Sequence, residues 1–185
     1  MPVFYRPEPH IKLNCVIVDI DDTVARLTLD VKPPYMNPDV VGQKLRLVWN
    51  KYHADVKFYS PQFIEPIKPM IELIETYANK HFAEIIFLTG REGVQNGQIR
   101  FNTWTFIHAN FERYNGLSLP YNDYLFMREP NDFRPNDVVK EEILTKYILP
   151  RYDVLMAFDD NEDNVKMFKK HNILTIQPHL NREVN

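Results

Sequence analysis

Short apolar runs of β character alternate with stretches of helical period along this chain. Cys15-Val16-Ile17-Val18 runs without polar interruption into Asp19-Ile20-Asp21-Asp22-Thr23, which predicts a strand of about Cys15–Ile20 buried on both faces. Further strands are predicted at Glu84–Leu88, about Asp123–Met127, Val154–Phe158 and Ile173–Ile176. Between them, Ile71, Leu73, Ile74 and Ala78 give an apolar face to a helix over about Lys68–Lys80. Trp104, Ile107 and Phe111 mark a helix over about Asn96–Tyr114, with Gly116 as its C-cap. A further helix, about Asp137–Ile148, opens on an acidic N-cap and stops before Pro150, and the last runs from Asp159-Asp160 to about His171. Strands alternating with helices call for an α/β fold with a parallel five-stranded sheet flanked by helices.

One stretch breaks the alternation. Residues 24–65 are rich in proline and aromatics, with one helix predicted over about Asp39–Tyr52. It reads as a cap or flap inserted after the first strand, leaving 1–23 and 66–185 as the core. The alternative is that its aromatics build only a small local core. Residues 1–13 read as an extended, proline-containing arm.

Right-handed crossovers bring the C-terminal ends of parallel strands to one rim. Asp19, Asp21, Thr89, Arg91 and Asp159 are each expected at such an end, so residues about 140 apart in the chain should meet where open α/β sheets bind ligands. Asp19, Asp21, Asp159 and Asp160, with Asp163 a turn later, would place several carboxylates in one cleft. Repulsion among them asks for a cation, and an all-oxygen donor set with no His or Cys cluster favours Mg²⁺. Thr89, Arg91 and Lys140 facing them suit a phosphate, and Arg128, at the end of the third strand, is a candidate substrate contact. Two acids at this spacing can divide the work of phosphoryl transfer, one attacking phosphorus and the other moving a proton. The plain alternative for Asp-Asp-Thr is a loop ending in a helix N-cap at Thr23.

Composition narrows the field. The 185 residues are 44% hydrophobic, enough for one real core, and the net charge of −3 argues against holding a long duplex. Five glycines, with neither GxxxxGK[ST] nor GxGxxG, speak against a nucleoside triphosphatase or a dinucleotide-dependent oxidoreductase. No apolar run is long enough for a transmembrane span, no signal-peptide pattern opens the chain, and the single Cys15 fits a reducing cytoplasm. No membrane association or obligate protein partner is expected.

VIVDIDDTV, IIFLTGR, DVVKEEIL and AFDDNEDNV, in that order, resemble the four motifs of the haloacid dehalogenase (HAD) superfamily. That resemblance implies Asp19 as nucleophile and Asp21 as general acid/base. It also implies that Thr89 and Lys140 hold the phosphate, and that Asp159 with a neighbour binds Mg²⁺, helped by the backbone carbonyl of Asp21. The segments around Thr89-Gly90-Arg91-Glu92, Arg134–Leu144 and Tyr152–Asp160 are more narrowly similar to the 3′-phosphatase domains of bacteriophage polynucleotide kinase/phosphatases. This implies removal of 3′-phosphates from DNA or RNA ends, or from nucleotides, during nucleic-acid repair, in the host cytoplasm if the chain is phage-encoded. Arg91 would contact the phosphate beside Gly90, and Asp159-Asp160 would be the paired metal acids. Phosphatases of small phosphate esters and an inactive module of the same fold are the alternatives. The chain departs from the pattern at Asp22, where glycine is usual, at Asn136, where an acid is expected to orient Lys140, and in its longer 24–65 excursion. With no kinase half in sight, a free-standing phosphatase is expected.

Overall fold

Val16 and Val18 point to one side of a strand and Cys15 and Ile17 to the other, all four buried, so the strand must be sandwiched between two helical layers. A computed structural model of the protein describes residues 12–27, 64–93, 97–114 and 121–179. The predicted helix Asp39–Tyr52 and Gly116 lie outside these residues, as does most of the N-terminal arm.

The central strand is β1 (Leu13–Val18). It is followed by a small antiparallel ribbon of β2 (Ala25–Leu27) and β3 (Ile64–Pro66), the described ends of the long excursion. Helix α1 (Lys68–Lys80), β4 (Glu84–Glu92) and α2 (Gln98–Asn110) come next. A 3₁₀ turn (Glu112–Tyr114) and the short α3 (Tyr121–Tyr124) lead to β5 (Leu125–Arg128). Helix α4 (Asn136–Ile143) widens into a looser turn at Leu144–Ile148 before β6 (Tyr152–Phe158), α5 (Glu162–Lys170) and β7 (Thr175–Ile176).

The five-stranded sheet has the order β5-β4-β1-β6-β7, parallel throughout. Chain direction across the sheet reverses at β1, which makes the crevice beyond the ends of β1 and β6 the switch point for a ligand. On one face Val16, Val18, Ile85 and Phe87 pack with Ile71, Ile74 and Ala78 of α1 and Ile99, Phe106 and Ile107 of α2. On the other, Cys15, Ile17, Ile86 and Leu88 pack with Val139 and Ile143 of α4 and Met167 and Phe168 of α5. Burial, then the nearby Asp153 and Glu84, push the Cys15 thiol up to about 12, so it stays an inert core group.

Local boundaries differ from expectation for physical reasons. β1 ends at Val18, not Ile20, because the Ile20 carbonyl turns out of the sheet to accept Val24 and Ala25 N–H at 3.0 and 2.9 Å. Thr23 caps no helix, since a strand follows it. Asp22 sits at φ 56°, the left-handed region that favours glycine but admits Asp, which accounts for its place in the motif. β4 runs on past the predicted Leu88 to Glu92, so Thr89-Gly90-Arg91 lies within the strand, where it spans a shift in the β4–β5 register. β5 starts at Leu125 because Tyr121–Tyr124 is helical, and α4 starts one residue earlier than predicted, after Pro135.

Phe87 has no exposed surface and meets Phe111 edge-on, with ring centroids 5.0 Å apart. Phe87→Ala is expected to cost about 3–5 kcal/mol, read as a lower urea midpoint at unchanged m-value.

Candidate active site

Val18 is aligned with both Phe87 and Phe158, so the ends of β1, β4 and β6 are nearly flush. The Asp19 N–H still bonds the Phe158 carbonyl at 2.9 Å, and the Asp159 N–H bonds the Ile176 carbonyl at 3.2 Å. The two carboxylates, from residues 140 apart, therefore emerge side by side.

Lys140 reaches them from the second turn of α4. Its side chain is fully buried, and Nζ donates to Asp19 Oδ1 and to Asp159 Oδ2, each at 2.7 Å. Burial works to lower its pKa, but Asp159 and Asp19 outweigh that and hold the ammonium charged. Asp19 is pushed upward chiefly by burial; Lys140 pulls it down, and Asp159 and Asp21 push it up again.

Asp159 is oriented further by Asn164, whose Nδ2 donates to both carboxylate oxygens at 2.9 and 3.1 Å, and by Asn161 N–H at 3.0 Å. Asn161 is also the N-cap of α5, accepting from Asp163 and Asn164 N–H. The backbone of Asp160 is held on both sides: its N–H donates to Thr23 Oγ1 at 3.2 Å, and its carbonyl accepts from Gln177 Nε2 at 2.9 Å.

Asp19, Asp159 and Asp160 each bring a carboxylate oxygen within 4.8 Å of the others. Three carboxylates against one ammonium leave two negative charges over, and the donors are all hard oxygens, so the set fits a divalent cation. Asp163 lies on the outer face of α5 beside Lys166, with its side chain 72% exposed, and takes no part in the cluster. The Asp21 carboxylate is likewise outside that set. It is gripped by Arg91, whose Nε donates to Oδ2 at 2.8 Å and whose Nη2 donates to Oδ1, while Nη1 donates to Thr103 Oγ1 at 3.0 Å.

Two expectations thus meet a different geometry. Arg91 is buried and turns its fork on Asp21. Arg128, expected to face substrate, has no exposed surface and donates to backbone carbonyls beneath the rim. Thr89 is buried at the rim, its Oγ1 accepting from Arg91 N–H at 3.3 Å. Gly90 lies close to Asn136: a Cβ there would meet Asn136 Oδ1 at 2.7 Å, so a larger residue would push that side chain aside. Asn136 bonds Arg128 and not Lys140, and Lys140 takes its orientation from the two aspartates. Sequence reasoning passed over Asn164 and Thr103. Their signal is a polar residue on a helix face whose other members, Val165 and Phe168 or Ile99 and Phe106, are buried.

An Asp-x-Asp leaving the central strand of such a sheet, opposite a helix-borne lysine and an Asp-Asp pair, is the arrangement of HAD-superfamily phosphatases. A family model described as the polynucleotide kinase PNKP phosphatase domain matches residues 13–181, and the chain belongs to that family. A chain in the structure of the Pnkp1/Rnl/Hen1 RNA repair complex is similar at TM-score 0.63 and 21% identity, covering 94% of this chain and 45% of that one. A second structure, of a Pnkp1/Rnl/Hen1 complex, is similar at TM-score 0.59 and 23% identity, covering 94% and 47%. The chain spans about half the length of these relatives, and at such identities the likeness shows the fold. Among the described residues no helix is long and apolar enough to cross a membrane.

Burial, then Asp159 and Asp22, push Asp160 up to about 6 from the usual 3.8. A raised carboxyl pKa favours the fold while protonated, so this contribution is full below about pH 4 and is lost as pH rises through 6. Cation binding should reverse the loss. Thermal melts are expected to show Mg²⁺ raising the Tm clearly at about pH 7.5 and little at about pH 4.5, with Asp160→Asn abolishing the difference. A Tm indifferent to Mg²⁺ at neutral pH would count against a cation site.

Proposed function

We propose that the protein is a Mg²⁺-dependent phosphomonoesterase that works through an aspartyl-phosphate and removes 3′-phosphates from polynucleotide ends. The observation that carries this reading is the buried Lys140 ammonium shared by Asp19 and Asp159, with Asp160 completing a cluster that fits a divalent cation. A phosphoryl group, a compact oxyanion, suits a place between such a cation and this ammonium.

Asp19 attacks phosphorus as its ester P–O bond breaks, and Asp21, protonated for this step and so released from one of its two bonds to Arg91, delivers that proton to the departing oxygen. Asp21 then takes a proton from water, which attacks the aspartyl-phosphate, releases inorganic phosphate and restores Asp19. Arg91, held by Thr103, fixes the direction in which Asp21 faces. Thr89, the Gly90 backbone and Lys140 hold the transferring oxygens, so the reaction gains from alignment and charge neutralisation. Asp19, Asp159, Asp160 and the Asp21 carbonyl would hold Mg²⁺, which supplies positive charge against the approach of two anions. Membership of the polynucleotide kinase phosphatase family supports a nucleic-acid end as the substrate. The small net charge of −3 suits a short terminus held at the rim.

The test is a substrate panel with Mg²⁺: a 3′-phosphorylated oligonucleotide, a 2′,3′-cyclic end, and free 3′- and 5′-mononucleotides. Preference for the oligonucleotide 3′-phosphate is expected; equal turnover of mononucleotides would transfer the protein to the small-ester phosphatases. Asp19→Asn is expected to remove turnover, since an amide is a poor nucleophile, and retained activity would contradict the assignment. Lys140→Ala should raise the barrier by about 2–4 kcal/mol in kcat, and an effect within about twofold would make it a bystander.

A further inference from the structure

We propose that Arg128 is a positioning residue, a buried joint that locks the Thr89-Gly90-Arg91 segment of β4 to the head of the helix carrying Lys140. Its guanidinium is fully enclosed. Nε donates to the Gly90 carbonyl at 3.1 Å, and Nη1 donates to the carbonyls of Asp132 and Arg134 at 3.0 and 2.7 Å. Nη2 donates to Asn136 Oδ1, on the first residue of α4. One planar group thus reaches a strand end, the connecting loop and a helix start, each through a different edge of its fork.

The surroundings bear on the same joint. The Arg128 carbonyl accepts Gly93 N–H at 2.8 Å, and Glu92 Oε1 accepts Asn131 N–H at 2.9 Å, so the end of β4 and the loop are tied twice more. A methyl group on Gly90 would meet Asn136 Oδ1 at 2.7 Å and displace the acceptor that Arg128 Nη2 uses. Asp132 Oδ1 lies 3.8 Å from Nη1 and offsets the buried charge. Burying a cation this way is costly against an apolar residue of similar size, and the return is geometry, since only a rigid fork serves acceptors in three directions. A lysine would place all its donors on one atom. Asn136 fits this role without being an acid, because what the fork needs there is an acceptor. If the joint slackens, the Thr89-Gly90 end and Lys140 drift apart, although Arg128 touches no substrate.

The proposal leans on the phosphatase reading for its kinetic readout only. Arg128→Lys, Asn136→Ala and the double variant of the full chain are compared with the parent in Mg²⁺-dependent hydrolysis of para-nitrophenyl phosphate and in amide hydrogen exchange. Each single variant is expected to lose roughly tenfold or more in kcat/KM, with the double variant no slower than the slower single one. Exchange should quicken in both 89–92 and 136–140 while 154–158 keeps its protection. Activity within about twofold of the parent, additive losses, or exchange that quickens in one segment alone would overturn the joint. Should Arg128→Lys fail to fold, Asn136→Ala gives the same exchange comparison. A parent without hydrolysis would sink the phosphatase reading, and the exchange patterns would still decide the joint.

Discussion

A buried ammonium between two buried carboxylates sets the terms for this molecule. Lys140 has almost no contact with solvent, and an uncompensated charge in that position costs several kcal/mol. Compensation requires Asp19 at the end of β1, Asp159 at the end of β6 and the second turn of α4 to converge within hydrogen-bonding distance. The sheet register meets that requirement. Val18 stands beside Phe158 and Phe87, so the strands finish together and their next residues turn up at one point. The pairing is still incomplete, since one lysine cannot neutralise both aspartates and Asp160 adds a third carboxylate.

Among the described residues, two more cations are buried near the rim, each with its own kind of partner. Arg91 grips the Asp21 carboxylate and Arg128 grips backbone carbonyls, so the three basic groups have separate work. Lys140 balances the acids, Arg91 aims one of them, and Arg128 ties the two elements that bring oxyanion-binding groups to the cleft. The acceptors differ because the elements differ. Asp21 follows the end of β1, within reach of Arg91, whereas the loop before α4 brings the carbonyls of Asp132 and Arg134 to Arg128, with the Asp132 carboxylate 3.8 Å away.

Much of the core was legible in the chain. Unbroken apolar runs marked the strands, and helix α1 spans Lys68–Lys80 as its periodicity predicts, because nothing in the tertiary structure opposes it there. Boundaries near the site were harder to read. The strand predicted to stop at Leu88 runs on, because pairing with β5 carries β4 through Thr89-Gly90-Arg91 to Glu92, and that pairing is non-local. Asp163 lies three residues after Asp160, close enough in sequence to be a ligand, yet its place in the first turn of α5 puts it on the outer face. Asn164, next along, is turned inward to Asp159 by helical rotation.

By itself the sequence determined which chemistry was available: acids at strand ends, a lysine near the head of a helix, a threonine-glycine-arginine segment and no His or Cys cluster. Types and spacings suffice for that, since they are local. Only the tertiary structure decided how the basic residues were allotted. Arg91 and Arg128 carry the same side chain at two neighbouring strand ends, and nothing local distinguishes one that aims an acid from one that braces a turn. The difference lies in which acceptors the packed neighbours bring within about 3 Å, because hydrogen bonding falls off too steeply with distance and angle for sequence position to stand in for it.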